Sequence, residues 1–254
     1  WAAVMHLPSN GTADHVGAHA RAGGSVFGAG DLVVRLDWKR EEGLKLDVTA
    51  SEAMKKQVPP EAQKAIRNLF AAWGREALAP VFETPQSYAR DYDVGLGKKG
   101  ETTFVELLPY NEHAKAELQR MWFAENGLCE RRILIPRVDP SDPMQQMMVG
   151  AEIESSFGYE KVGDRFLLVR MSMLTPVGDL LVAYEYHTVT DGPPLLAKVV
   201  MTTPFAPDPI EVVFSDYTRD GALVELPKPA ATEPQPAEDG EEPEKTDDPE
   251  RPAK

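Results

Sequence analysis

The chain has 254 residues, a formal net charge of −14 at pH 7 and a hydrophobic content of 42%, so it can bury a substantial core. The acidic balance argues against a nucleic-acid partner, because such a partner requires clustered Lys and Arg. No stretch of about 18 apolar residues occurs, which predicts that nothing in this chain spans a membrane.

The two ends of the chain differ in composition from its middle. Residues 1–24 are rich in Ala, Gly and His, and we predict a loosely ordered lead-in with one short helix at Ala13–Ala22. Residues 227–254 hold seven prolines and nine acidic residues, so they bury too little apolar surface to offset the entropy of ordering. We therefore predict a disordered acidic tail, and a single β-rich domain over residues 25–226.

The first part of that domain predicts two strands followed by helices. VFGAGDLVVRLDW and GLKLDVTA alternate apolar and polar positions on either side of a turn at Lys39–Gly43. A helical region opens at Ser51, and a second helix begins near Pro60. Its apolar residues recur at helical spacing, which predicts an amphipathic helix that Pro80 ends. These residues are Ala62, Ile66, Leu69, Phe70, Trp73 and Ala77.

The remainder predicts an antiparallel sheet. We expect a loop at Gly95–Gly100 and a strand over TTFVELLP. A hairpin turns at Asn126–Gly127, a dipeptide that supplies positive φ for a tight turn. Strands rich in Val, Leu, Tyr and Phe then follow one another from Phe157 to Tyr217. Their turn signals are Pro176–Gly178, Asp191–Pro194 and Ala206–Pro209.

Few residues suit catalysis or metal binding. His15 and His19 lie near Asp14, but a metal site needs a further ligand, so we interpret them as part of a polar terminus. Glu185 and His187 point the same way on a predicted strand, and we interpret them as an exposed pair rather than an acid–base pair. We predict no cofactor, no metal and no catalytic residue.

Cys129 is the single cysteine, so no disulfide forms within the chain. This fits a cytosolic protein and a disulfide-free periplasmic protein alike. The neighbouring Arg131 and Arg132 would lower the pKa of an exposed thiol, but we interpret Cys129 as structural. The chain begins at Trp1, which fits both a removed secretory leader and a trimmed chain, and we expect the former.

The order of elements over residues 102–224 resembles a known superfamily. A strand that ends in Pro (FVELLP) precedes the hairpin MWFAENGLCERRILI, and paired strands follow around Gly163–Asp164. The closing run is LVAYEYHTV, LLAKVVMTTP and IEVVFSDYTRDGAL. This series is similar to the periplasmic lipoprotein-carrier and outer-membrane lipoprotein-sorting superfamily (LolA/RseB-like).

The resemblance implies an α+β fold, in which a strongly curved antiparallel β-sheet forms an incomplete barrel wrapped around one or two helices. It implies non-enzymatic binding or transport of lipid or lipoprotein acyl chains in an apolar cavity, with envelope membrane proteins as further partners. It also implies the periplasm or cell envelope of a Gram-negative-type bacterium. Unbranched Met suits a cavity for varied apolar ligands. The predicted lining residues are Ile66, Phe70, Trp73, Phe104, Trp122, Met171, Met173 and Met201.

Two alternatives stay open at this point. With a fully packed core, the chain would be a regulatory or protein-interaction module that binds its partner by a sheet edge or surface patch. A hydrolase-type enzyme would require His187 and Glu185, or Cys129, to share one cleft with a third polar residue. An accessible apolar cavity favours the carrier, and a filled interior favours the interaction module.

Overall fold

The computed structural model describes most of the chain between residues 15 and 226. The predicted acidic tail lies outside the described residues, as do residues 1–14 of the predicted lead-in. The described ranges are 15–23, 31–39, 42–82, 90–112, 114, 116–138, 146, 148–176, 178–189, 193–204 and 206–226.

Thirteen strands form one antiparallel sheet, which does not close on itself within the described residues. The strands are β1 (His15–Gly23), β2 (Leu32–Lys39), β3 (Gly43–Ala50), β4 (Tyr92–Lys99), β5 (Thr102–Pro109), β6 (Ala116–Phe123), β7 (Cys129–Pro136), β8 (Ile153–Val162), β9 (Arg165–Thr175), β10 (Gly178–His187), β11 (Leu195–Thr202), β12 (Ile210–Arg219) and β13 (Ala222–Leu223). Their order is β3-β2-β1-β12-β11-β10-β9-β8-β7-β6-β5-β4, and β13 pairs with β12. The predicted antiparallel sheet and its hairpin series are confirmed.

The two helices lie in the segment that joins the two ends of the strand order. Strands β4 to β12 form an up-and-down series, and β1 pairs with β12, so β3 and β4 lie at opposite ends of the strand order. The segment that joins those two strands carries α1 (Glu52–Gln57) and α2 (Pro60–Phe82). At about 1.5 Å per residue, α2 is roughly 34 Å long. Along the chain, α2 therefore connects the strands at the two ends of the sheet.

Local sequence accounts for where the helices begin, but not for where α2 ends. The Ser51 side chain caps α1 by accepting a hydrogen bond from the Met54 amide, and Pro60 opens α2, where no amide is needed. The prediction that Pro80 ends the helix is wrong, because Pro80 lies inside it. Val81 and Phe82 are both buried, and their packing offsets the hydrogen bond that Pro80 cannot donate.

The predicted helix at Ala13–Ala22 is also wrong, since residues 15–23 form strand β1. This strand pairs with β2 on one side and with β12 on the other, so it joins the N-terminal hairpins to the rest of the sheet. Val16, Ala18, Ala20 and Ala22 alternate with more exposed residues and are buried. Tertiary pairing here overrides the helical preference of alanine.

The predicted loop at Gly95–Gly100 is largely strand β4. Its glycines permit pairing rather than preventing it. The ring of Phe104 on β5 lies over Gly97, the residue it pairs with, and a Cβ at Gly97 would overlap that ring. Gly100, with a φ of 61°, makes the turn into β5.

Candidate functional site

The apolar stripe of α2 packs against the core of the protein. Phe70 is buried, while Ile66 and Trp73 are partly buried and pack against the buried cluster. Burial increases toward the C-terminal end of the helix, where Ala77 and Leu78 are buried. The predicted helical candidates therefore share one packed face.

The three predicted methionines lie on the face of the sheet that α2 contacts. Met171 on β9 and Met201 on β11 both pair with Val182 on β10, and residues paired directly across strands point to the same face. Met173 lies two residues from Met171 and therefore points the same way. The Tyr184 hydroxyl on β10 donates a 2.6 Å hydrogen bond to the Ala77 carbonyl oxygen of α2, which identifies this as the α2-facing side.

Phe104 and Trp122 lie on the opposite face, which we call the outer face. Their neighbours Val105 and Met121 pair directly, and Met121 pairs in turn with Arg132, a series that leads to the α2-facing residues. Because adjacent residues of a strand point to opposite faces, Phe104 and Trp122 point away from α2. Their ring centroids are 5.3 Å apart. The Arg131 guanidinium lies over the Trp122 ring, 4.8 Å from its centroid. These two predicted lining residues thus do not share a face with the methionines.

Three polar contacts tie one turn of α2 to three separate strands. The Arg75 guanidinium donates to the Leu44 carbonyl oxygen of β3 at 3.0 Å. The Ala77 carbonyl accepts from Tyr184 of β10, and the Glu76 carboxylate pairs with Arg132 of β7 at 3.1 Å. All three contacts fall on consecutive residues of the helix, so this turn is fixed relative to β3, β7 and β10.

A row of polar residues lies buried on the α2-facing side of β6, β7 and β8, and sequence reasoning did not find it. Arg132 pairs across the strands with Met121 and Ser155, and Gln119 is two residues from Met121. Gln119, Arg132 and Ser155 are all buried. The sequence does carry a signal for them, because these polar residues occupy strand positions that the alternating pattern predicts to be buried.

The chemistry at Cys129 does not favour a nucleophile. Burial raises the pKa of the Cys129 thiol to about 12, although the nearby Arg132 acts in the opposite direction. The thiol is therefore protonated at neutral pH. Its Sγ atom donates a 3.4 Å hydrogen bond to the Arg131 carbonyl oxygen.

The histidines are not gathered into a metal site in the described part of the chain, where no group of three or more His, Cys, Asp or Glu side chains is placed to hold an ion. His15 instead pairs with Asp37 of β2 at 2.5 Å. Glu185 is exposed and His187 is partly buried at the end of β10.

A groove of about 540 Å³ lies on the outer face of β8 to β11. Ser156, Ser172, Leu181 and Thr202 pair in one row across these four strands and line it. The small side chains of two of these residues form the floor, and Leu181, which is 53% exposed, adds an apolar rim. The side chains of these paired residues point away from Met171 and Met201, so the groove opens on the outer face, although Met171 and Val182 also contribute to its lining.

The fold and site define an open antiparallel sheet with one long helix on one face. The sequence matches no protein-family model and no curated protein. Among solved structures, a domain from Vibrio parahaemolyticus described as outer membrane lipoprotein-sorting is 10% identical, with 83% of this chain and 87% of that chain covered and a TM-score of 0.36. A LolA superfamily protein from Nitrosomonas europaea is 8% identical, covers 87% and 90% of the two chains, and has a TM-score of 0.34.

A DUF1329 family protein from Desulfovibrio piger is also matched, at 11% identity, coverage of 82% and 87%, and a TM-score of 0.26. The matched structures thus include proteins of the superfamily that the hairpin series resembles. At these identities and TM-scores, the likeness identifies no site residue, ligand or partner of this chain. Within the described residues, neither helix is long and apolar enough to cross a membrane.

Proposed function

We propose that this protein is a non-enzymatic carrier that binds acyl chains of a lipid or lipoprotein between α2 and the sheet. The observation that carries the proposal is the apolar side of the sheet, where Met171, Met173 and Met201 are buried in the same cluster as Phe70 of α2, so that an acyl chain binds by displacing packed side chains. Unbranched methionine side chains adapt to apolar ligands of varied shape. We place this activity in the bacterial cell envelope, the compartment that the resemblance implies, with envelope membrane proteins as partners.

The contacts of α2 support the proposed incomplete barrel. In the strand order, β3 and β7 are eight positions apart, which in a flat sheet would separate them by about 38 Å. Both nevertheless reach adjacent residues of α2, through Leu44 to Arg75 and through Arg132 to Glu76. A curved sheet that wraps around this turn brings the two strands within reach of one helix.

The uneven burial of α2 suggests where an acyl chain enters. Pro60, Glu61 and Ala62 are exposed, whereas Ala77 and Leu78 are buried. The polar contacts to the sheet described above also belong to the C-terminal half of the helix. We propose that acyl chains enter beside the N-terminal half, where fewer contacts must be replaced, and extend toward the methionines beside the C-terminal half.

Native mass spectrometry and calorimetry with a series of monoacyl lipids test the proposal. Each added methylene should tighten binding by up to about fourfold, because burying one methylene contributes about 0.8 kcal/mol. Met173→Gln, on the α2-facing side, should weaken binding, since it places an amide where the acyl chain lies. Leu174→Gln is the matched control, because Leu174 is the next residue and is 49% exposed on the outer face.

Circular dichroism of both variants checks that they fold. Binding that does not depend on chain length would contradict burial of the chain. Loss of binding in Leu174→Gln with full binding in Met173→Gln would place the lipid on the outer face instead. A chain that remains free of lipid at every length removes the carrier proposal.

The outer-face groove favours the second candidate, a regulatory or protein-interaction module. Ser156 and Ser172 leave room above β8 and β9, and Leu181 is an exposed apolar contact. In that case Leu181→Asp would abolish binding of an envelope protein in a pull-down from solubilised membranes, and acyl lipids would have no effect. The carrier proposal instead expects acyl lipids to bind.

A further inference from the structure

The polar row on β6, β7 and β8 lies inside the face that we propose for acyl chains. Arg132 and Ser155 pair directly across β7 and β8, with Met121 and Met173 as the next residues on either side. Gln119 is 4% exposed, Arg132 is 2% exposed and Ser155 is fully buried. The row is therefore a polar patch enclosed by adaptable methionines.

The two neutral side chains of this row each have a buried oxygen atom without a hydrogen-bond partner among the described residues: Gln119 Oε1 and Ser155 Oγ. A buried polar group without a partner disfavours folding by at least about fivefold in the equilibrium constant. Both positions would hold an apolar side chain without that cost. Their polar character is explained if a ligand supplies the missing partners when it binds.

The charge of the row is already balanced, which bears on the kind of ligand. The Arg132 guanidinium pairs with the Glu76 carboxylate of α2 at 3.1 Å. An anionic headgroup would therefore bring a second negative charge into a buried region, or would have to displace Glu76 from Arg132. Gln119 and Ser155 offer neutral hydrogen bonds, which an uncharged group matches.

We infer that Gln119 and Ser155 bind the uncharged linkage of an acyl ligand, such as the ester and hydroxyl groups of a glyceride. This inference rests on the proposed acyl-chain function. The two side chains come from strands on either side of β7, about 10 Å apart, so a linkage with several neutral polar groups suits them better than a single one. The flanking Met121 and Met173 contact the first methylenes of the chain.

Calorimetry with two ligands of equal chain length tests the inference. The probes are 1-decanoylglycerol, which is uncharged, and decanoate, each below its critical micelle concentration. The native protein should bind 1-decanoylglycerol more tightly. Ser155→Ala should weaken the binding of 1-decanoylglycerol by about fivefold, since one neutral hydrogen bond is lost. It should change the affinity for decanoate by less than about twofold.

Gln119→Met, which keeps the side-chain volume, is a second variant with the same expectation. Ser156→Ala is the matched control, because Ser156 is the next residue and points to the outer face. The thermal midpoint of Ser155→Ala and Gln119→Met should not fall, because each removes a buried polar atom that has no partner. A purely structural role would lower it.

Each outcome decides one point. Tighter binding of decanoate, or unchanged 1-decanoylglycerol binding in both variants, overturns the inference and leaves acyl binding intact. An equal loss for both ligands also overturns it, because the residues would then contact only the chain. If the native protein binds neither ligand, the proposed function itself fails.

Discussion

The two faces of the sheet use neighbouring arginines in opposite ways. Arg132 points to the α2-facing side, where its side chain is 3% exposed and pairs with Glu76 of the helix. Arg131, the residue before it, points to the outer face, where its side chain is 44% exposed and pairs with Glu154 of β8. The first pair joins two layers of the fold, and the second stays within one surface.

The same contrast holds for the aromatic side chains. Phe70 of α2 is buried by the packing of helix against sheet. Phe104 is also buried, on the outer face, but by Trp122 and by the Arg120 guanidinium, which lies 5.4 Å from its ring centroid. Burial alone therefore does not show whether an aromatic residue lies on the α2-facing side. The residues that surround it do show this.

The largest expected difference between the faces comes from their ion pairs. Glu76→Gln should lower the free energy of unfolding by about 3 kcal/mol, because it removes the charge of the carboxylate that pairs with the buried Arg132 guanidinium. Glu154→Gln breaks the exposed pair with Arg131 and should cost under about 1 kcal/mol. Urea denaturation of both variants measures the difference. Equal losses would mean that the two faces do not differ in dielectric environment.

The hairpins could be predicted from the sequence because their signals are local. Alternation marks each strand, and Gly127, with a φ of 81°, makes the turn that Asn126–Gly127 predicts. Strand β1 could not be predicted in the same way. Its alternating positions hold Ala18, Ala20 and Ala22, small residues that carry a weak strand preference until β2 and β12 pair with them.

The candidate site was only partly predictable, for a different reason. Period-two alternation shows that Phe104 and Met121 occupy different faces from their neighbours, but not which face meets the helix. That choice depends on the register across the whole sheet, as in the pairing of Met121 with Arg132 and of Arg132 with Ser155. Long-range pairing of this kind carries no local sequence signal.

A second prediction concerns the close contact that shields Phe104. Gly97→Ala should lower the free energy of unfolding by about 2 kcal/mol, because the new methyl group displaces the Phe104 ring. Gly95→Ala, on the same strand, is the matched control and should be neutral or slightly stabilising, since its nearest neighbour would be the Glu106 carbonyl oxygen at 3.9 Å.

Trp122 reports on the same change, because its ring lies beside Phe104. The tryptophan emission of the protein, to which four tryptophans contribute, should therefore shift in Gly97→Ala and stay as in the native protein in Gly95→Ala. If both variants unfold at the same urea concentration, then Phe104 is held by Trp122 and Arg120 alone, and the glycine has no packing role.

The smallest predicted effect tests the burial of the Cys129 thiol by pH. Burial raises the pKa of the Cys129 thiol to about 12, and it also raises the pKa values of Tyr159, Tyr184, Tyr186 and Tyr217. An unfolded thiol titrates near pH 8.5, so above that pH the unfolded chain loses a proton that the folded chain keeps. Stability from this group is complete below about pH 8.5 and falls as the pH rises toward 12.

Between pH 8 and pH 9.5, the free energy of unfolding of Cys129→Ala should therefore fall by about 1 kcal/mol less than that of the native protein. Comparing each protein with itself at the two pH values cancels the packing change made by the substitution. Ser156→Ala, on the outer face, should keep the pH dependence of the native protein. An unchanged pH dependence in Cys129→Ala would show that the thiol meets water, and would place Cys129 with the exposed Arg131 rather than with the buried core.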